Sequence, residues 1–305
     1  MTSLTLGPLL FHWPAEKRRD FYARIADEAP ITCVYLGEIV CSKRLPWFEK
    51  DLPDIAARLR RAGKEVVFST PALITEAREA KFVEAALESA DVIEINDLAA
   101  LRVVGGRKFV SGPLINVFNE GTLDVLVRLG AARINMPAEM SLESIAILAA
   151  HNPTGATEVF AFGRQHLAIS QRCYHARAHD LHKDDCQFVC GHDADGMVAS
   201  ELDGRPLLAI NGTETLSHGY FAPLGELDRL REAGVSHFRL SPHTCDMVAV
   251  AALYRAVLDH AMEAEEALAR LAEMIAPDPF INGYLHGRPG MEWHRAATNT
   301  AIANG

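Results

Sequence analysis

The stretch CYHARAHDLHKDDCQFVC, residues 173–190, gathers three cysteines and three histidines in a chain that has only six cysteines in all. Thiolates and imidazoles at this density are the raw material of a zinc site, an iron–sulfur cluster or a redox pair. Cys186 and Cys190 form a C-x3-C pair, not the C-x2-C of a redox dithiol, and no thioredoxin-like context surrounds them. His175, His179 and His182 are spaced four and three apart, which would align them on one helix face, and H-x3-H with a nearby thiolate could hold zinc. Beside Arg177, Asp180, Lys183 and Asp184 they read rather as solvated loop residues. A further ligand must come from elsewhere in the chain.

The elements that would position these residues alternate. Apolar runs at 4–12, 31–37, 65–70, 91–96, 108–118, 132–137 and 157–163 predict strands, and SHFRLSP (236–242) predicts an eighth. Most are apolar almost throughout, as strands buried on both faces are. Helical patterns at Ala15–Glu28, Trp47–Ala62, Thr75–Ser89, Gly121–Leu129 and Ser141–Ala150 separate several of them, and a long or broken helical region covers Met247–Met274. The segment 196–212, with an Asp203–Gly204 turn, predicts a hairpin after the cysteine stretch. The pattern predicts an α/β fold. It is a single parallel (β/α) barrel-like domain over residues 1–305, a TIM barrel either closed or incomplete and distorted, with an inserted cysteine-bearing segment at about 164–218.

In such a barrel the chemistry sits on the loops after the strands. Those positions hold Gly37, Glu38 and Cys41 after the second strand, Asn96 and Asp97 after the fourth, Asn116 and Asn119 after the fifth, and Arg164 and Gln165 after the seventh. Closure would bring Cys41 to the mouth where Cys173, Cys186 and Cys190 follow the seventh strand. Four thiolates select zinc or an iron–sulfur cluster over hard cations. The dispersed spacing suits the corners of a cluster better than the paired C-x2–4-C of structural zinc, but it leaves both open, along with scattered thiols. Glu38, Asn96, Asp97 and Arg164 could bind substrate or simply hydrogen-bond their loops. Cys33 reads as a core residue within a strand, and Cys245 as a structural thiol or one activated at a helix start. NGYLHGRPG (282–290) fits no phosphate loop, and no G-x-S-x-G, H-E-x-x-H or Rossmann fingerprint is present.

Composition narrows the function classes. The chain has 305 residues, 49% of them hydrophobic, and a formal charge of −10, with no basic run to neutralise a row of phosphates. No apolar stretch predicts a membrane span, and MTSLTLGPLLFHWP lacks the charged start and cleavage site of a signal peptide. The expectation is a cytoplasmic protein with no nucleic-acid partner and no membrane span.

VYLGEIVCSKR (34–44), the run FAFGRQHLAISQRCYHARAHDLHKDDCQFVC (160–190) and NGYLHGRPG resemble the UbiU/UbiV branch of the collagenase-like peptidase family, with S-x-R-C-Y and KDDC-x3-C the most specific parts. The resemblance implies a [4Fe–4S] cluster on Cys41, Cys173, Cys186 and Cys190 and a heterodimer with a UbiU-like protein. It also implies a role in oxygen-independent hydroxylation of ubiquinone precursors during anaerobic ubiquinone biosynthesis. Oxygen must then come from a donor other than O2, for which related members suggest prephenate. It assigns no catalytic residue. A non-catalytic iron–sulfur or zinc scaffold and a metal-dependent peptidase of the parent family are the alternatives. The absence of a nucleophile–base motif counts against the peptidase.

Overall fold

The computed structural model describes residues 2–90 and 92–295. Its strands are β1 (Ser3–Leu6), β2 (Cys33–Leu36), β3 (Glu65–Ser69), β4 (Ile93–Ile95), β5 (Phe109–Ser111), β6 (Ala131–Asn135), β7 (Thr157–Ile169), β8 (Met197–Ser200), β9 (Pro206–Asn211), β10 (Glu214–Phe221), β11 (Val235–Leu240) and β12 (Phe280–Ile281). Strands β1 to β7 pair in parallel in chain order, and β11 pairs in parallel with both β7 and β1. The eight form a closed all-parallel barrel, so the incomplete alternative is set aside. Asp91, the first residue of one predicted strand, and residues 1 and 296–305 of the predicted domain lie outside the described residues.

All eight predicted barrel strands are present, and several of the sequence-based bounds are corrected. The first strand ends at Leu6 and the fifth at Ser111, because Gly7–Pro8 and Gly112–Pro113 follow and proline cannot donate to the ladder. Asn116 and Asn119 therefore lie in a loop well past β5. The helix expected over Trp47–Ala62 is two, Leu45–Glu49 and Leu52–Arg61, the second restarting with Pro53 in its first turn. The region 247–274 breaks into Met247–Leu258 and Ala264–Ile275, with His260 between them at φ 55°. The hairpin of β8 and β9 forms around the Asp203–Gly204 turn as expected. Among the described residues no helix is long and apolar enough to cross a membrane.

Two features set up the site. Strand β7 continues past the barrel and pairs antiparallel with β10, which pairs with β9, so a small sheet grows from the C-terminal end of the barrel. Gly163, where β7 leaves the barrel, must be glycine: a Cβ there would stand 2.7 Å from the His243 ring, and its φ is +120°. Arg164 and Gln165, expected after the seventh strand, instead lie within it.

The barrel interior is charged where barrels are usually packed with branched apolar side chains. Glu158 of β7 accepts from Thr5 of β1, from the Tyr35 hydroxyl of β2 at 2.8 Å and from Arg239 of β11 at 2.7 Å. Arg239 also pairs with Glu94 of β4, which accepts from Ser69 of β3 at 2.6 Å. Arg133 of β6 donates to Tyr35 at 2.8 Å and pairs with Glu65 at 2.9 Å. Side chains from seven strands thus meet across the barrel. The apolar core lies outside it, under the helices.

Candidate thiol pocket

Cys41, Cys173, Cys186 and Cys190 line one small pocket, together with Lys43, Arg44, His175, Lys183, Phe188, Val189 and Gly212. Three local devices deliver the four thiols. After β2 the chain turns inward, and the buried Glu38 carboxylate accepts the backbone N–H groups of Val40 and Cys41, both at 2.9 Å. This folds the loop that carries Cys41. Cys173 opens the short helix Tyr174–Ala178, where its Sγ accepts the Ala176 N–H at 3.4 Å. Cys186 and Cys190 flank Gln187 and Phe188, two non-glycine residues at φ 48° and 55°. Left-handed backbone at consecutive bulky residues is uncommon and costs energy, so surrounding contacts must hold this turn. The Phe188 ring packs on His12 and Trp47, at centroid distances of 5.4 and 5.8 Å.

Tertiary contacts then bind these segments together. Thr213, in the turn between β9 and β10, donates to the Val40 carbonyl at 2.8 Å. Lys43 donates to the Lys183 carbonyl at 2.6 Å and pairs with Asp184 at 2.9 Å. Arg44, 2% exposed, donates to the Leu10 carbonyl at 2.7 Å and to Asn211 Oδ1 at 2.9 Å. Burial pushes the thiols of Cys41, Cys173 and Cys190 up, and Arg44 pulls against it at Cys41 and Cys190. Any metal held here would have to displace their protons.

The other predicted site residues divide. His175 is fully buried, contrary to the solvated-loop reading. Its Nδ1 meets the Ile210 carbonyl at 3.2 Å and its Nε2 meets Asp193 at 2.9 Å, so both ring nitrogens are engaged. His179 stacks on it at 5.5 Å, and His182 is exposed. The helix there is too short to present all three on one face. Asp97 accepts the Ile74 and Ala99 N–H groups, and Asn119 caps the helix Glu120–Arg128 through the Thr122 N–H. Asn96 donates to the Thr70 carbonyl at 3.1 Å, Gln165 to the Ala138 carbonyl at 3.0 Å, and Arg164 to Asp278 at 2.8 Å. Asn116 is exposed.

Cys33 is buried in the barrel interior as expected. The Cys245 thiol is pushed up to about 12 by burial and then by Asp195, so it is not activated by the following helix, which Asp246 caps. In 282–290, Gly283 lies so close to the Pro289 carbonyl that a Cβ would stand 1.9 Å from it, a tight structural turn. Among the described residues, no three His, Cys, Asp or Glu side chains form a ready ligand set for one metal ion.

Sequence reasoning missed Arg44, Asn211 and Gly212. The only local signal was a basic residue three positions after Cys41.

A closed parallel barrel carrying a thiol-lined pocket on the loops at its C-terminal end belongs to the α/β barrels whose function is set by their βα loops. The chain belongs to peptidase family U32, whose model matches residues 14–295. Among solved structures it is similar to a truncated 3-deoxy-D-arabino-heptulosonate 7-phosphate synthase from Thermotoga maritima, at 10% identity and TM-score 0.37, covering 92% of this chain and 89% of that one. It is also similar to orotidine 5'-monophosphate decarboxylase from Methanocaldococcus jannaschii, at 14% identity and TM-score 0.35, covering 52% and 81%. Likenesses this weak carry no argument about activity.

Proposed function

We propose that this chain is the iron–sulfur subunit required for oxygen-independent hydroxylation of ubiquinone precursors in anaerobic ubiquinone biosynthesis. It acts as a heterodimer with a UbiU-like partner in the cytoplasm, and Cys41, Cys173, Cys186 and Cys190 hold a [4Fe–4S] cluster. The observation that carries this reading is the meeting of those four thiols, one of them more than a hundred residues from the rest, on the wall of one pocket. Family membership and the S-x-R-C-Y and KDDC-x3-C motifs support the UbiU/UbiV assignment.

The pocket wall suits such a group. Four thiolates and a cluster are anionic together, and Lys43, Arg44 and Lys183 line the same pocket. Phe188 and Val189 supply an apolar wall that limits water. A cluster places its sulfurs further apart than a single ion does, so thiols spread round a pocket are compatible with it. When bound, the cluster would supply one-electron transfer or hold the loops. Four protein thiolates would leave no iron open to substrate. The oxygen atom comes from a donor other than O2, with prephenate the candidate.

Protein purified without oxygen is expected to be brown and to carry about four irons per chain. Colourless protein with one zinc would sink the cluster. Anaerobic ubiquinone synthesis should stop in cells whose only copy is a folded, cluster-free variant. Undiminished synthesis would favour a scaffold role.

A further inference from the structure

We propose that Arg44 tunes the reduction potential of the cluster, as a buried positive charge that favours the reduced form. The inference rests on the cluster reading above and concerns a residue outside the ligand set. Arg44 lines the same pocket as the four thiols. Its guanidinium is fixed from two sides, by the Leu10 carbonyl at 2.7 Å and Asn211 Oδ1 at 2.9 Å. Asn211 is itself held, donating to the same Leu10 carbonyl at 2.8 Å and to Glu214 at 3.0 Å. Glu38 forms a buried ion pair with the guanidinium at 3.9 Å while also accepting two backbone N–H groups, so it offsets part of the charge and fixes its position.

Two details single Arg44 out from the neighbouring lysines. Its Nε is buried with no hydrogen-bond partner, an unspent donor on a side chain that lines the thiol pocket. And the backbone makes room for it: a Cβ on Gly212, whose φ is +65°, would stand 2.8 Å from the guanidinium. Lys43, by contrast, is 23% exposed and its pair with Asp184 is open to solvent, so water screens it.

Each electron added to a thiolate-bound cluster makes an anionic group more negative. A cation fixed in a low-dielectric wall stabilises that state, and charge and hydrogen bonds around the sulfurs are recognised levers on cluster potentials. Arg44 is thus a positioning residue, acting on the cluster through charge and without touching substrate.

The test is an anaerobic redox titration of the full-length, iron-loaded chain with dithionite as reductant, followed by absorbance and electron paramagnetic resonance. In Arg44→Gln the reduced form should be about tenfold less favoured, a fall of about 59 mV for a one-electron couple. Arg44→Lys, which restores the charge, should recover most of that fall. If Arg44→Gln fails to fold or to keep iron, Gly212→Ala carries the test. It keeps the charge but crowds its seat, and should lower the potential in the same direction by less. An unchanged midpoint in an iron-replete Arg44→Gln or Gly212→Ala protein would overturn the proposal. Wild-type protein that takes up no iron would remove the cluster reading itself and the proposal with it, so iron content tells the two failures apart.

Discussion

Burial favours the neutral thiol at Cys41, Cys173 and Cys190, so the proposed cluster would have to replace their protons. That makes single substitutions informative. Cys186→Ala and Cys190→Ala are each expected to lose iron during anaerobic purification. Cys33→Ala and Cys245→Ala should retain it, because Cys33 lies in the barrel interior and Cys245 borders a different pocket. Iron assay and visible absorbance of the four proteins check this, and a full cluster in Cys186→Ala would show that the ligand set is wrong. The four cysteines could be nominated from residue type and from their places after strands. Arg44 could not, because its meaning depends on Asn211, 167 residues away. Nothing local distinguishes it from an exposed arginine. His175 shows the same limit in reverse: its polar neighbours in sequence suggest solvent, while its neighbours in space are Ile210 and Asp193.

Strands were the most legible elements, since a strand buried on both faces announces itself as an apolar run. Their ends were less so, because apolar residues also line loops that pack on the core. Ile115 and Val117, read as part of a strand, are buried beyond Pro113 in irregular chain. Strand β10 was passed over because ETLSHGYF mixes polar and apolar residues, and its pairing with β7 and β9 is decided by contacts far along the chain. The bend between β2 and Cys41 depends on close packing of backbones. A Cβ on Gly37 would lie 2.3 Å from the Ser69 carbonyl oxygen, which cannot move without disturbing β3. Gly37→Ala is therefore expected to destabilise the protein by at least ~1–3 kcal/mol and to reduce iron retention through the displaced Glu38–Cys41 loop. Denaturant melts paired with iron assays measure both effects. A variant of wild-type stability would show that the loop tolerates the shift.

The molecule as a whole is held by an unusual barrel centre. Burial alone would raise the Glu158 carboxyl, but Arg239 and then Arg133 outweigh it and hold it at about 2, below the ordinary 4.5. A carboxyl depressed in the folded state contributes stability that is complete above the unfolded value. That contribution is lost as pH falls from about 4.5 through about 2. Arg239→Met removes the cation between two buried carboxylates and should cost ~3–5 kcal/mol at neutral pH. The gap between variant and wild type should narrow as pH falls below about 4.5, because protonation relieves the uncompensated charge in the variant while wild type loses its own gain. Urea unfolding at both pH values tests this, and a gap independent of pH would show that the ion pairs do not dominate the centre.

By itself the sequence determined the repeating strand and helix pattern, hence a parallel α/β barrel, because hydrophobic periodicity is a local property that each segment carries alone. It also determined which thiols are available and, through S-x-R-C-Y and KDDC-x3-C, which family they resemble. Only the tertiary structure decided that the barrel closes, that its centre is ionic, and that Cys41 meets Cys173, Cys186 and Cys190 beside a buried arginine. The physical reason is common to all three. Closure, charge pairing and a shared pocket are relations between residues distant in the chain, and they exist only once folding has removed the water and the distance between them.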